Sequence, residues 1–287
     1  MRQHLLRASP SLDVQLVEMT TEGDRKLDTT LASLGGKGLF LKELEHALLD
    51  KRVDIAVHSM KDVTVMLPDG LHIAAICERA SPYDVLVSNH FRRIDDLPQG
   101  ARVGTCSLRR SSLLLHYRPD LRIMPLRGNV NSRLQKLDNG DYEAIILAEA
   151  GLRRLGFSDR IRQVVATDVL LPAVGQGAVG VECRRGDGAV ETLLASLNDE
   201  KSAICVQAER ATNRRLEGGC HAPIAVFAQI HEDRLLVEGR VMSTDGVDVL
   251  AARVEADATL AEKAGIQLAE DLLAQGAATI LHAYHSA

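Results

Sequence analysis

Four side chains with different chemistry follow one another in the segment His58-Ser59-Met60-Lys61-Asp62. They come directly after a short apolar stretch that is typical of a buried strand. Because the carboxyl ends of strands line the binding crevice of open α/β sheets, Ser59, Lys61 and Asp62 are candidates for ligand binding and proton transfer. Their position is equally compatible with a solvated turn in which Lys61 and Asp62 pair with each other.

A second candidate site is rich in arginine. In VGTCSLRR (103–110), a strand leads into a helix that Thr105 or Ser107 could cap, with Arg109 and Arg110 in its first turn. Cations are unfavourable at the positive end of a helix dipole unless an anion lies there as well. The alternative is that both side chains point outward and are solvated.

Arginines recur at the same place in the next two strand-to-helix units, at Arg127 and Arg133 and then at Arg153 and Arg154. Three neighbouring units that direct guanidinium groups to one crevice would bind several carboxylates or phosphates together. Between residues 102 and 133 the chain has seven arginines and one acid, Asp120, although the net charge of the whole protein is −5. Such a confined cluster favours a small, multiply charged anion.

The third candidate is a thiol, Cys220, on the glycine-rich loop of LEGGCHAP (216–223), with an imidazole next to it that would favour the thiolate. Three other cysteines (Cys77, Cys183 and Cys205) lie in apolar patterns and are predicted to be inert core residues. The five cysteines are widely spaced and include no CxxC pair, which argues against a disulfide framework and a zinc site and indicates a reducing compartment. The loop at 35–40 lacks the spacing of a nucleotide-binding phosphate loop.

Short apolar strands alternate with helices through the first two thirds of the chain, which predicts α/β domains with largely parallel sheets. After residue 200, a long helix, a three-stranded meander and a final helix predict a small α+β domain. The predicted strands are 13–19, 54–58, 71–77, 84–88, 102–105, 122–126, 143–147, 222–230, 234–242 and 247–254. The predicted helices are 39–49, 107–117, 129–137, 148–155, 199–216 and 260–273.

Composition excludes several classes of protein. Aromatic residues make up 3% of the chain and tryptophan is absent, so platforms for stacking bases are not expected, and the acidic net charge argues further against nucleic acid as a partner. No apolar run approaches the ~20 residues that cross a bilayer. The first seven residues do not form a secretory signal, so we expect a cytoplasmic protein without membrane association.

Six segments of the sequence together resemble the porphobilinogen deaminase family, also called hydroxymethylbilane synthase. They occur in the family's order and spacing over nearly the whole chain. The segments are GGKGLF (35–40), DIAVHSMKDV (54–63), VGTCSLRR (103–110), LRGNVNSRLQKLDNG (126–140), LPAVGQGAVGVECR (171–184) and LEGGCHAPI (216–224).

The resemblance implies two α/β domains related to periplasmic binding proteins and a small α+β C-terminal domain that carries a cofactor. We expect domain 1 at 1–77 and 178–197, the arginine-rich domain 2 at 83–171 and the C-terminal domain at 200–287. The implied activity is that of a transferase in porphyrin (heme) biosynthesis. It would condense four porphobilinogen molecules into the linear tetrapyrrole hydroxymethylbilane, releasing ammonia, and it would act as a monomer.

The resemblance also assigns roles to single residues. Cys220 would hold a dipyrromethane cofactor through a thioether, and Asp62 would be the catalytic carboxylate. Neither role requires a metal ion. The expected cofactor-binding residues are Cys220, Lys61, Asp62, Ser107, Arg109 and Arg110, and the expected substrate-binding residues are Ser59, Arg127, Arg133 and Arg154.

The sequence departs from the family pattern near its start. Members normally begin with a strand and an Arg-x-Ser segment that contacts substrate, and residues 1–12 contain no equivalent. Ser33 and Glu22 stand where the family commonly has a lysine and an arginine. We therefore expect a native start about 20 residues upstream, the length of a strand, its turn and the start of a helix. The alternative function is a catalytically impaired, anion-binding relative on the same scaffold.

Overall fold

The computed structural model describes residues 1–19, 41–219 and 222–286. Within these residues the backbone forms three β-sheets with helices packed around them. The strands are β1 (Ile55–Ser59), β2 (Leu71–Ile76), β3 (Asp84–Val87), β4 (Arg102–Gly104), β5 (Arg122–Met124), β6 (Ala144–Ala148), β7 (Ile161–Val164), β8 (Val179–Arg184), β9 (Ile224–His231), β10 (Arg234–Met242) and β11 (Val249–Asp257). The helices are α1 (Arg2–Ala8), α2 (Lys42–Leu49), α3 (Leu108–Tyr117), α4 (Val130–Asp138), α5 (Glu149–Arg154), α6 (Gly188–Ala195), α7 (Glu200–Arg215), α8 (Ala261–Ala274) and α9 (Ala277–Ser286).

Sheet 1 has the strand order β1-β8-β2, and both of its pairings are antiparallel. The chain leaves this sheet after β2, builds a second sheet and returns as β8 between the two earlier strands. On one face, Val181 and Cys183 of β8 pack with Leu5 of α1 and Leu194 of α6. Helix α2 packs on the other face, where side chains of the alternate residues point.

Sheet 2 has the order β5-β4-β6-β3-β7. β4 pairs in parallel with β5 and β6, whereas β3 pairs antiparallel with β6 and β7. Strands β3 and β6 are apolar along most of their length because both faces of this sheet are covered. Helices α3 and α4 follow β4 and β5, so their N-termini begin at the same end of the sheet.

Sheet 3, in the order β11-β10-β9, is an antiparallel meander that packs against α7 and α8. Phe227 of β9 also packs edge-on to Tyr83, beside sheet 2, with the ring centroids 6.2 Å apart. The fold class is therefore confirmed as α/β sheets followed by a small C-terminal part of three antiparallel strands and helices. The predicted domain boundaries stay a prediction.

One buried carboxylate connects the segments that cross between the sheets. Glu209 of α7 accepts hydrogen bonds from Arg79 at 2.6 Å, from the backbone N–H of Gly175 at 2.6 Å and from that of Ala228 at 2.9 Å. Arg79 lies on the outgoing segment between sheets 1 and 2, Gly175 on the returning one and Ala228 in sheet 3. Both crossing segments are thus attached to the C-terminal part through a single side chain.

Several sequence-based predictions of secondary structure are wrong. Residues 13–19 form no strand, because Leu16 and Val17 are exposed instead of packing on a neighbouring element. The sheets are not largely parallel, because β8 is inserted antiparallel between two earlier strands and β3 is antiparallel to β6. Strands β7 and β8 and helices α1, α6 and α9 were not predicted from the sequence. Among the described residues, no helix has the length and apolarity that a membrane crossing needs.

Candidate functional site

The first part of the candidate site is the turn that follows β1. Met60 to Asp62 form a short 3₁₀ turn, in which the Met60 side chain is buried and Asp62 is exposed. The backbone N–H of Met60 donates to the carbonyl of Ala178 at 3.0 Å. Gly175 packs so closely on this turn that a Cβ there would lie 2.7 Å from the Cβ of Met60, which only glycine avoids. The returning segment thus fixes the backbone that presents Lys61 and Asp62.

The backbone after Asp62 is fixed from the other side. Arg210 of α7 donates to the carbonyl oxygens of Thr64 at 2.8 Å and of Val63 and Val65 at 3.2 Å. Three carbonyls held by one guanidinium make this segment a rigid continuation of the turn. The side chain of Asp62 is therefore exposed, whereas the backbone that carries it is restrained.

The second part of the site is the start of α3. Ser107 is the N-cap and accepts a hydrogen bond from the backbone N–H of Arg110 at 3.5 Å, and its own N–H donates to Thr105 Oγ1 at 3.1 Å. The two arginines of the first turn are only 4% and 6% exposed. The alternative that Arg109 and Arg110 point outward into solvent is therefore wrong.

Both arginines bind one carboxylate, that of Asp84 at the start of β3. Arg110 donates to Asp84 Oδ1 from Nε at 3.0 Å and from Nη2 at 2.7 Å, and Arg109 Nη2 lies 2.7 Å from Asp84 Oδ2. Gln176 Nε2 donates to the same Oδ1 at 3.0 Å. Burial by itself raises the pKa of Asp84, but the two guanidinium groups outweigh it and lower the pKa to about 2.

Asp84 is a site residue that the sequence analysis missed. The sequence feature that could have identified it is an acid at the start of the otherwise apolar strand Asp84-Val85-Leu86-Val87. The cluster of two guanidinium groups and one carboxylate keeps one net positive charge in a buried place. Arg109 Nε is also buried and has no hydrogen-bond partner within the described part of the chain. A buried net charge and a donor without a partner both favour an additional anion.

The third part of the site is the start of α4. Asn129 is the N-cap and accepts from the backbone N–H of Ser132 at 2.9 Å. Arg133 Nε donates to the carbonyl of Gly128 at 2.7 Å, which folds this side chain back over the turn that carries Arg127. The predicted cap-and-arginine arrangement of α3 therefore recurs one strand further along sheet 2.

The charged side chains of the three parts lie close enough to shift one another's pKa. Burial lowers the pKa of Lys61, Asp62 opposes this change, and Arg110 and Arg133 lower the pKa further. Burial likewise lowers the pKa of Arg133, with Arg110 and Arg127 acting in the same direction and Asp62 opposing them. Cations that repel one another in this way bind an anion favourably, because it removes the repulsion.

Other predicted residues lie apart from these interactions or outside the described residues. Arg154 is exposed at the end of α5, and its neighbour Arg153 pairs with Glu149. Ser59 is half-buried at the end of β1, next to the turn. Cys220 lies outside the described residues, as do the loop at 35–40 and the departures at Ser33 and Glu22.

Cys106, which the sequence analysis did not single out, is exposed between Thr105 and Ser107. Of the predicted core cysteines, Cys183 and Cys205 are buried and Cys77 is half-buried. Burial raises the pKa of Cys205 to about 11, so this thiol is protonated at neutral pH.

Comparison with known families decides the identity of the scaffold. Residues 1–192 match the family model described as "Porphobilinogen deaminase, dipyromethane cofactor binding domain", and residues 203–274 match "Porphobilinogen deaminase, C-terminal domain". The chain belongs to the porphobilinogen deaminase family. Membership in this family implies a transferase of tetrapyrrole biosynthesis that uses a dipyrromethane cofactor.

Solved structures that match part of this chain include the periplasmic VFT2 domain of BvgS from Bordetella pertussis, at 16% identity and a TM-score of 0.41 over 68% of this chain and 74% of that one. Another is a TRAP periplasmic solute binding protein from Desulfovibrio salexigens, at 13% identity and a TM-score of 0.42 over 70% of this chain and 66% of that one. At these values the similarities carry no argument about this deaminase family member.

The residues present fit a dipyrromethane, a group that carries several carboxylates. Arg109 and Arg110 share one internal carboxylate and keep a net positive charge, and Lys61 and Arg133 are held close to the same cluster. Guanidinium groups bind carboxylates with two parallel hydrogen bonds, which suits a ligand of this kind. The donor set of this porphobilinogen deaminase family chain is therefore consistent with the cofactor after which its family model is named.

Proposed function

We propose that this chain is a hydroxymethylbilane synthase that condenses four porphobilinogen molecules into the linear tetrapyrrole and releases ammonia. The observation that carries the proposal is the electrostatic cluster of Lys61, Asp62, Arg110 and Arg133, which combines an exposed carboxylate with several cations. A dipyrromethane bound through a thioether at Cys220 would supply a covalently tethered pyrrole onto which substrate is added.

Asp62 has the central role in this proposal. Loss of ammonia from porphobilinogen leaves a cationic pyrrole, and a carboxylate near its N–H stabilises that charge. The same carboxylate can accept the proton that leaves after the new carbon–carbon bond forms. The rigid turn at residues 60–62 supports this role, because a preorganised carboxylate does not have to rearrange during the reaction.

The cations, together with Ser107 and Ser59, would divide between two tasks. Arg109, Arg110, Lys61 and Ser107 would hold the carboxylates of the cofactor, because the two arginines are buried and fixed by Asp84. Ser59, Arg127, Arg133 and Arg154 would bind the substrate and the growing chain, whose carboxylates increase in number with each ring. Guanidinium groups at different depths would serve a chain that lengthens from a fixed point.

The test is to purify the full chain, add Ehrlich's reagent, and then follow the consumption of porphobilinogen with formation of hydroxymethylbilane. The proposal predicts a colour from the bound dipyrrole and steady turnover. A coloured protein without turnover would identify an impaired relative that only binds anions, and a colourless, inactive protein would contradict the proposal altogether. We further propose a cytoplasmic monomer, for which size-exclusion chromatography with light scattering tests the monomeric state.

A further inference from the structure

Three potential metal ligands meet on sheet 1, away from the candidate site. His72 of β2 and Cys183 of β8 are cross-strand partners, and Glu191 lies in the first turn of α6. Cys183 pairs with Ile55 at the start of β1, whereas the catalytic turn follows Ser59 at its end. At a rise of about 3.3 Å per residue, this places the three side chains about 13 Å along the strand from that turn.

The distances between the donor atoms are short. Cys183 Sγ lies 3.4 Å from His72 Nε2, Glu191 Oε1 lies 3.1 Å from the same nitrogen, and all three atoms lie within 4.8 Å of one another. A tetrahedral zinc centre with ordinary bond lengths separates its ligand atoms by about 3.3–3.6 Å. The three atoms could therefore approach a common ion with little movement.

Hydrogen bonding alone does not satisfy this arrangement well. A single atom, His72 Nε2, faces both the thiol and the carboxylate. If Nε2 carries a proton, that proton is shared between sulfur and oxygen; if it carries none, it faces a carboxylate that has no proton to donate. A cation between the three atoms binds all of them through lone pairs and removes this conflict.

The surroundings also suit a bound ion. The side chain of Cys183 is buried, whereas those of His72 and Glu191 are 24% and 34% exposed, so an ion can enter and retain one water molecule. The backbone N–H of Gly186 donates to Glu191 Oε1 at 3.0 Å and helps to orient this carboxylate. A thiolate, a carboxylate and a neutral imidazole together carry two negative charges, which a divalent cation balances.

We propose that His72, Cys183 and Glu191 bind one Zn²⁺ ion, with water as the fourth ligand. The thiol gives up its proton to solvent when the Zn–S bond forms. With one ligand on each of β2, β8 and α6, the ion links the helix to the sheet and stabilises this contact. The three ligands lie far apart in the chain and form no local CxxC pattern, so the sequence alone did not predict this site.

Titration of the reduced, full-length protein with CoCl₂ and then with ZnCl₂ tests this proposal. Bound Co²⁺ should give a thiolate-to-cobalt charge-transfer band that saturates at one ion per chain and disappears when Zn²⁺ displaces it. His72→Gln and Glu191→Gln, at partly exposed positions, should weaken Co²⁺ binding by at least tenfold, and Cys183→Ala should abolish the band. ZnCl₂ should raise the melting temperature of the wild type and leave that of His72→Gln unchanged.

Two controls make the result specific. Cys106→Ser removes an exposed thiol in the other part of the molecule, and Glu200→Gln removes an exposed acid at the start of α7. Both should bind Co²⁺ as the wild type does. Absence of a charge-transfer band in the wild type, or a band that persists unchanged in both His72→Gln and Glu191→Gln, would overturn the proposal.

Discussion

Arg110 donates two hydrogen bonds to a single carboxylate oxygen of Asp84, from Nε at 3.0 Å and from Nη2 at 2.7 Å. Arg109 occupies the other oxygen of the same carboxylate. One acid at the head of β3 thus holds in place two cations at the start of α3. The proposed cofactor site depends on this buried arrangement as much as on the groups that would contact the ligand.

Replacing Asp84 by Asn should therefore destabilise the protein strongly. The variant keeps the shape of the side chain but leaves two buried guanidinium groups without their counter-ion, which typically costs about 3–5 kcal/mol. Urea denaturation gives the difference in the free energy of unfolding. The matched control is Asp120→Asn, which breaks a more accessible pair with Arg118 and should cost much less. Equal losses in the two variants would contradict the assigned role of Asp84.

The pH dependence of stability should carry the signature of the same carboxylate. The pKa of Asp84 falls from an ordinary 3.8 to about 2 on folding, so its contribution is present above pH 3.8 and is lost as the pH falls towards 2. The contribution is about 2 kcal/mol, since one unit of pKa corresponds to 1.36 kcal/mol. The difference in unfolding free energy between wild type and Asp84→Asn should shrink by about this amount over that range. A difference that does not change with pH would show that the shift is absent.

Removing the charge of Asp62 should affect turnover far more than stability. Asp62→Asn keeps the shape of the side chain at an exposed position, so the protein should remain folded, with a much smaller loss of stability than Asp84→Asn. Turnover should fall by about 10²–10³-fold, which is the usual effect of losing a group that stabilises charge in the transition state. Asp69→Asn, at an exposed position on the same segment, should be as active as the wild type. Near-normal turnover of Asp62→Asn would exclude the proposed catalytic role.

Substitutions of the arginines should have two different effects, loss of the cofactor or arrest of chain elongation. Arg110→Leu should yield protein without cofactor, because this side chain is buried beside Asp84. Arg154→Leu, at an exposed position, should yield protein that carries the cofactor and accumulates incomplete chains after porphobilinogen is added. Mass spectrometry of the intact proteins distinguishes these states, and Arg110→Lys keeps the charge as a folded comparison. Identical mass profiles for the Arg110→Leu and Arg154→Leu variants would contradict the division.

Local signals in the sequence predicted a large part of the site. The N-cap at Ser107, the repeated arginines after β4 and β5 and the polar turn after β1 all depend on residues that are close together in the chain. The role of Asp84 was not predictable in this way, because its partners lie some 25 residues further on. The same limit applies to β8, whose place between β1 and β2 depends on the return of the chain from sheet 2. The same holds for His72, Cys183 and Glu191, which come together only when the chain returns from sheet 2 as β8.

The mass of the intact protein tests the central claim most directly. The claim is that Cys220 holds a dipyrromethane cofactor in a site formed by Lys61, Asp62 and the arginines. The wild-type protein should exceed the mass of its bare chain by two pyrrole units, and Cys220→Ser should have the mass of the bare chain. A wild-type protein at bare-chain mass, or two pyrrole units that remain covalently bound in Cys220→Ser, would contradict the account.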